Sequence, residues 1–477
     1  MEAMTAKVLV LHYAYYLHIG TIVHAVSDGT AVNGASTAMQ PPGVLVMPDN
    51  ISSASSAPAI LSIESRASWV AAGVALAILS VAYGSTLLIV VGLRVMERDL
   101  CVSRSTMALA GAMTWVGTGL GGIVMGWLAD RIGTRRIVLI GAVMIALGLA
   151  LSSFGSVWAL YLGQGVLIGF LGMGAIYPPL LIYVSRWFDR RRGTAIALIS
   201  SGQYVAGVLW PAAFERLIAG PGWRMTYLGF GAVVLVGVVP LAAFFLHPAP
   251  GAAGAKQGIT GIKRVAATRV LGLRPNVVQA ILCGAGFCCC VPMAIPQAHL
   301  VAFCGDIGIG AATGAAMLSV LLGCAFISRQ FWGAFADRHG GLKTVLAGSA
   351  FQAVAIGAFL LTQDEAGLFV IAAGYGFGFS GIIPAYVVAV RDLFPSSEAS
   401  WRIPLVLFTS MSGMAFGSWF SGRLYDHFGF YAPAFGSGVA FNVLNLVLLM
   451  FLVLRQAGPE RNTNGSLRSL AARTART

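Results

Sequence analysis

One arginine interrupts an apolar run: Arg329, in LLGCAFISRQFWGAFADR. A charge at the centre of a bilayer costs about 2.5–3.5 kcal/mol on insertion scales, so an intramembrane Arg is a functional candidate by default. Arg329 also stands about one helical turn from Gly333, and from there a long side chain can snorkel to the interface. A second set of candidates is neutral: Tyr83, Trp115, Tyr177, Gln203, Tyr204, Gln297, His299 and Tyr375, all within apolar stretches. These side chains can offer hydrogen bonds and ring faces to a solute, although the same types also pack between helices or sit at membrane interfaces. His299 could titrate near neutral pH, or be satisfied by a backbone carbonyl.

A third set forms a pattern written twice. GWLADRIGTRR begins at Gly126 and GAFADRHGGLK at Gly333, each placing an Asp-Arg pair between glycines seven residues apart. Gly126 and Gly333 let another helix come close, and Gly133 and Gly340 permit a tight turn. Asp130 can face the positive end of a neighbouring helix and pair with Arg131 or Arg136, a contact that forms in one conformation and breaks in another. Asp337 and Arg338 repeat it.

Other chemistry has little to stand on. There is no HExxH, GxSxG or paired-carboxylate constellation to make an enzyme, and no GxxxxGK[ST] loop for direct use of ATP. The cysteines from Cys283 to Cys324 lack paired CxxC spacing and read as buried thiols, so neither a metal nor a cofactor is expected.

The elements that must position these residues are membrane spans. Of 477 residues, 57% are hydrophobic and 10% charged, with a mean hydropathy of +0.82. A soluble domain carries roughly 25% charged residues. Apolar runs of about 20 residues, enough for a hydrocarbon core roughly 30 Å thick, fall at 68–93, 105–128, 136–153, 157–184, 193–218, 225–247, 275–303, 309–332, 343–361, 366–390, 401–422 and 430–455. Loops after even-numbered spans hold sixteen Lys and Arg residues against six elsewhere (Arg94, Arg98, Arg104, Arg216, Arg224, Arg423). The positive-inside rule therefore puts the even loops and both termini in the cytoplasm, and the net charge of +13 needs no nucleic acid.

Residues 248–274 read as a cytoplasmic linker between two halves, 67–247 and 275–455, because the duplicated loop follows the second span of each half. Residues 456–477 form a basic tail. Residues 1–66 read as a poorly ordered or interfacial extension, or as the product of an upstream start with initiation near Met47.

The repeated Gly126/Asp130/Arg131/Gly133 and Gly333/Asp337/Arg338/Gly340 pattern resembles the signature loop of the major facilitator superfamily. RWFDRRRGTAIALISSG (ending at Gly202), GWRMTY at 222–227 and AHLVAFCGDIGIGAATGAAMLSVLLG at 298–323 are similar to its monocarboxylate and oxalate:formate antiporter type branch. The resemblance covers about residues 68–455. It implies an all-α polytopic membrane protein of twelve transmembrane helices in two pseudo-symmetric six-helix bundles, and an eighth-span Arg that pairs with a substrate carboxylate. Two departures remove the branch's proton-coupling groups: Ala325 stands where members carry Asp, and Leu87 where they carry Lys. Tyr161, three residues before Gln164-Gly165, replaces the Arg of drug:proton antiporters.

The expected function is secondary active transport of a small organic solute, a mono- or dicarboxylate, with H+ or a counter-transported anion as the second solute. The protein would be a monomer in a plasma or inner membrane. An uncharged aromatic or vitamin-like solute is the alternative, since most cavity candidates are neutral. A non-transporting sensor of the same fold is the alternative of another class.

Overall fold

The computed structural model describes residues 64–188, 191–247 and 269–474, which are helices and short connections apart from an isolated bridge between Val270 and Leu273. Most of the N-terminal extension and of the linker lies outside them. Twelve helices are long and apolar enough to cross a membrane: α1 (Arg66–Leu100), α2 (Arg104–Ile132), α3 (Thr134–Ser153), α4 (Val157–Ser185), α5 (Thr194–Ala219), α6 (Trp223–Phe245), α7 (Pro275–Asp306), α8 (Ala311–His339), α9 (Gly341–Ala358), α10 (Glu365–Leu393), α11 (Trp401–Phe428) and α12 (Ala432–Gln456).

The expected spans coincide with these helices to within a few residues, except that α1, α8 and α11 run on to Leu100, His339 and Phe428. Each extension carries charge (Arg94 and Glu97, Asp337 and Arg338, Arg423 and Asp426). Hydropathy drops such turns, but backbone hydrogen bonding continues through them because they need not lie in hydrocarbon.

The two halves repeat one packing scheme. In the first, α2 lies on α4 and α3 on α6; in the second, α8 lies on α10 and α9 on α12. Each half buries its own aromatic core, with Phe214 and Tyr227 in one and Tyr386 and Phe435 in the other. The halves meet where α1 faces α7, α2 faces α11 and α5 faces α8. Tyr204 of α5 crosses this seam and packs into the second half's core, its ring edge-on to Phe379 at 6.2 Å. On the outside, Val236, Val354 and Leu361 are 75%, 76% and 86% exposed, an apolar skin that membrane hydrocarbon covers.

Gly133 (φ +91°) and Gly340 (φ +80°) end α2 and α8 in left-handed backbone that other residues adopt only with strain, so each signature loop turns at once into the next helix. The tightest helix approaches are equivalent in the two halves. A Cβ on Gly121 of α2 would stand 2.0 Å from the Phe170 carbonyl of α4, and one on Gly376 of α10 would stand 2.0 Å from the Leu321 carbonyl of α8. Gly376→Ala must therefore push α8 and α10 apart. We expect it to cost about 1–3 kcal/mol, read as a lowered midpoint of thermal unfolding in detergent; an unchanged midpoint would mean that the two helices part freely.

Candidate functional site

A cavity of about 270 Å³ lies between the halves. Seven of the expected solute contacts line it: Tyr83 from α1, Trp115 from α2, Tyr177 from α4, Gln203 and Tyr204 from α5, Gln297 from α7 and Arg329 from α8. Local breaks in the helices aim several of them. The α1 helix is interrupted by a turn at Tyr83, and α5 at Ser201. In α4, a π-helical stretch from Leu162 to Met173 is followed by Pro178 and Pro179, flanking Tyr177. Wide and broken turns of this kind are common at functional sites.

Arg329 lies ten residues before the end of α8 at His339, about 15 Å along the helix axis. Its side chain turns into the cavity. Nη1 donates to the Ser200 carbonyl at 3.4 Å, a group left without a helical partner where α5 breaks. The guanidinium carbon sits 5.4 Å from the centre of the Tyr204 ring. Tyr83 and Tyr177 meet edge to face, 5.7 Å apart, in the same wall. Among the described residues no carboxylate pairs with Arg329, and it is the one charged side chain lining this cavity.

A second compartment of about 90 Å³ continues the first, sharing Tyr83, Trp115, Thr118, Gln297 and Met414 with it and adding Thr86, Thr114 and Ser418. Among the described residues, no ionisable side chain other than that of Tyr83 lines it. In the other direction, a cleft between α5, α8 and α10 runs from Arg329 and Ser200 past Gly333 to the exposed Asp337. The cavity thus communicates with the face that carries both signature loops, the basic face.

Two expected contacts are elsewhere. His299 is fully buried behind the cavity wall, with Nε2 2.8 Å from the Ser418 carbonyl and Nδ1 3.0 Å from the Tyr431 hydroxyl. Tyr375 is buried in the second half and donates to the Pro292 carbonyl at 2.8 Å. Helical periodicity turns both away from the cavity, and the sequence pattern of these spans is too uniformly apolar to show which face is which.

The signature loop also departs from expectation. Asp130 pairs with Arg186, at the end of α4, at 3.0 Å, whereas Arg131 lies over the Trp127 ring at 3.7 Å and Arg136 is exposed. Gly126 is buried, but a Cβ on Gly333 would meet nothing within 4 Å, so no helix presses on Gly333 in this conformation; α10 packs instead on the far end of the second loop, where Asp392 accepts from the Gly341 amide at 2.9 Å. Arg338 is exposed. Asp130 and Arg186 are 39% and 33% exposed, and such pairs contribute under about 1 kcal/mol. Asp130→Ala should therefore slow turnover a few-fold and leave solute affinity unchanged, as initial-rate uptake would show; a large loss of affinity would place Asp130 in the solute's own site.

At the opposite face the halves are locked together through Arg94 and Arg104, which sequence reading counted only as loop charges, and through acidic and aromatic partners that it did not single out. Arg104, at the start of α2 and 3% exposed, pairs with Glu97 of α1 at 2.7 Å and with Asp306 at the end of α7. It donates to the Tyr431 hydroxyl at 3.0 Å and lies 3.9 Å from the centre of the Tyr425 ring. Arg94 adds a contact to Asp306 at 3.1 Å. Asp426 of α11 accepts from the backbone amides of Arg104 and Ser105 at 2.8 and 2.9 Å, capping α2 from across the seam.

Comparison with known proteins adds relatives to this geometry. The sequence profile described as Major Facilitator Superfamily matches residues 74–329 and 300–475. The chain is 26% identical over 298 residues to MFS transporter asaE of Aspergillus flavus, covering 61% of this chain and 65% of that protein. It is 28% identical over 326 residues to monocarboxylate transporter 13 of Rattus norvegicus (66% and 72%) and 29% over 286 residues to monocarboxylate transporter 11 of Homo sapiens (55% and 57%). Among solved structures it is similar in fold to the nucleoside transporter NupG, with a TM-score of 0.64, 14% identity and coverage of 80% of this chain and 98% of that one. It is also similar to a bacterial homologue of the human lysosomal transporter Spinster, inward-facing and occupied, with a TM-score of 0.59, 17% identity and coverage of 82% and 97%.

Proposed function

The chain belongs to the Major Facilitator Superfamily, and from that premise we propose that it is a secondary active transporter of a small organic monoanion, working by alternating access. The observation that carries this reading is Arg329: one cation, without a carboxylate partner, in a cavity otherwise lined by neutral groups. A guanidinium in a low-dielectric wall gains most from an anion that offers two oxygens in its plane, and a carboxylate does so. A second carboxylate would find no counter-charge in either compartment, so a monocarboxylate fits better than a dicarboxylate. The apolar and aromatic walls at Tyr83, Trp115 and Tyr177 would take its body. Those walls also favour the alternative of an uncharged aromatic solute, which would need Arg329 only as a hydrogen-bond donor.

On this reading the basic face is cytoplasmic, by the excess of Lys and Arg in its loops, and the conformation is inward-open. The other solute of the cycle is H+ or a counter-transported anion, acting through groups other than Ala325 and Leu87. The relatives named as monocarboxylate transporters support the solute class. The test is uptake into proteoliposomes of labelled aryl and alkyl monocarboxylates, the matching dicarboxylates and the matching carboxamides, with and without a pH gradient. Monocarboxylates should move and their amides should not. Equal uptake of acid and amide would overturn the anion reading, and binding without uptake under any gradient would favour a sensor.

A further inference from the structure

His299 has a fixed protonation state in this conformation, and its partners dictate it. Arg104 can only donate, so the Tyr431 hydroxyl, 3.0 Å from Nη1, must accept from it. A phenol oxygen can accept twice, but the hydroxyl's one remaining hydrogen-bond neighbour among the described residues is Nδ1 of His299, also at 3.0 Å, so its own proton goes there. Nδ1 is therefore an acceptor and carries no proton. Nε2 stands 2.8 Å from the Ser418 carbonyl, which can only accept, so Nε2 carries the hydrogen. The imidazole is neutral, and every polar atom of the relay from Arg104 through Tyr431 and His299 to Ser418 has one defined role.

A proton on Nδ1 would break this relay. It would set an N–H against a hydroxyl whose hydrogen is already directed at that nitrogen, and a positive charge behind Arg104 in a fully buried site. Other charged or titratable groups face this region from each element packed there: Glu97 and Arg94 on α1, Arg104 on α2, Asp306 on α7, and Tyr425 and Asp426 on α11, with Tyr431 leading into α12. The carboxylates are already engaged, Asp306 and Glu97 by guanidinium groups and Asp426 by two backbone amides. None is hydrogen-bonded to His299.

We infer that His299 is a proton-binding site filled only when the face opposite the signature loops is open, so that closing this face expels the proton and acid on that side holds it open. This rests on the alternating-access reading above. A ligand bound by one of two states shifts their ratio by one plus the ligand concentration over its dissociation constant. For an imidazole with an ordinary pKa near 6.5, going from about pH 7.5 to about pH 5.5 should raise the open-to-closed ratio about tenfold.

The experiment is a distance measurement between spin labels at positions 102 and 309, on the α1–α2 and α7–α8 connections, in the full chain with native cysteines replaced. His299→Gln is the informative variant, because a neutral amide can accept from Tyr431 and donate to Ser418 without titrating. Wild type should shift towards the long distance at acid pH, His299→Gln should not, and Tyr431→Phe, which no longer forbids a proton on Nδ1, should lose most of the shift. A shift that persists in His299→Gln would assign it to the carboxylates and overturn the inference. A pH-independent wild type, with Arg104→Ala opening the face, would also overturn it while leaving alternating access intact. If neither acid nor Arg104→Ala ever lengthens the distance, alternating access fails and the inference fails with it.

Discussion

Arg329→Ala should abolish monocarboxylate uptake while leaving the protein folded. Truncating one side of a desolvated charge pair costs about 2–5 kcal/mol, which is at least roughly 30-fold in affinity. The loss should appear in direct binding to the purified protein as well as in uptake, because the guanidinium would hold the solute in the ground state. Stability should scarcely move. Among the described residues Arg329 has no carboxylate to leave behind, and its one hydrogen bond there, to the Ser200 carbonyl, is long at 3.4 Å. Arg329→Lys keeps the charge but not the planar fork and should fall between the two. Anion uptake that survives Arg329→Ala would move the carboxylate site elsewhere in the cavity, and retained uptake of a neutral aromatic solute alone would favour the alternative.

Arg104→Ala should have the opposite profile, with the solute site intact and the conformational balance transformed. Arg104 is 3% exposed and holds Glu97, Asp306 and Tyr431 at once. Removing one partner of a buried ion pair typically costs about 3–5 kcal/mol, because the remaining charge is left without compensation. Here Glu97, left without its guanidinium, and Asp306, left with Arg94 alone, can escape that cost by opening the seam to water. The open-to-closed ratio at this face should rise by about two orders of magnitude or more. It can be read from the label distance, or from the rate at which a thiol introduced at Ser418 reacts with a membrane-impermeant reagent. Arg104→Lys should recover only part of the closed population, since an ammonium cannot bridge two carboxylates and a hydroxyl as a guanidinium does. An unchanged distance would mean that the Arg94–Asp306 pair, the Asp426 cap and apolar packing suffice to hold the seam.

The fold was legible because bilayer physics writes it in one dimension: twelve runs of sufficient length, a charge bias between faces and a duplicated loop are all local patterns. Arg329 was legible for the same reason, as a charge where charge is expensive. The lock around Arg104 was not. Its partners Asp306 and Asp426 lie 202 and 322 positions away in sequence, and each reads by itself as an ordinary loop charge. Tyr375 and His299 show the converse limit. Polar groups in apolar spans signal that something must satisfy them, but a single sequence does not say whether that is a solute or the Pro292 and Ser418 carbonyls. Asp130 found Arg186 on α4 rather than Arg131 beside it, because a neighbour in sequence on a helix points to a different side.

The solitary charge of the cavity has an electrical consequence. On the proposed function, with Arg329 unpaired and no other formal charge among the described residues that line either compartment, the empty carrier would present a net positive charge to whichever side it faces, and a bound monoanion would cancel it. Reorientation with the anion bound would then be electrically silent, as both legs of an anion exchange would be, and any reorientation of the empty carrier would carry the current. A full elementary charge crossing a membrane potential exchanges about 2.3 kcal/mol per 100 mV. A negative interior would draw the empty transporter towards its inward-facing form, so voltage would govern how soon it is ready for the next solute rather than how tightly it binds one.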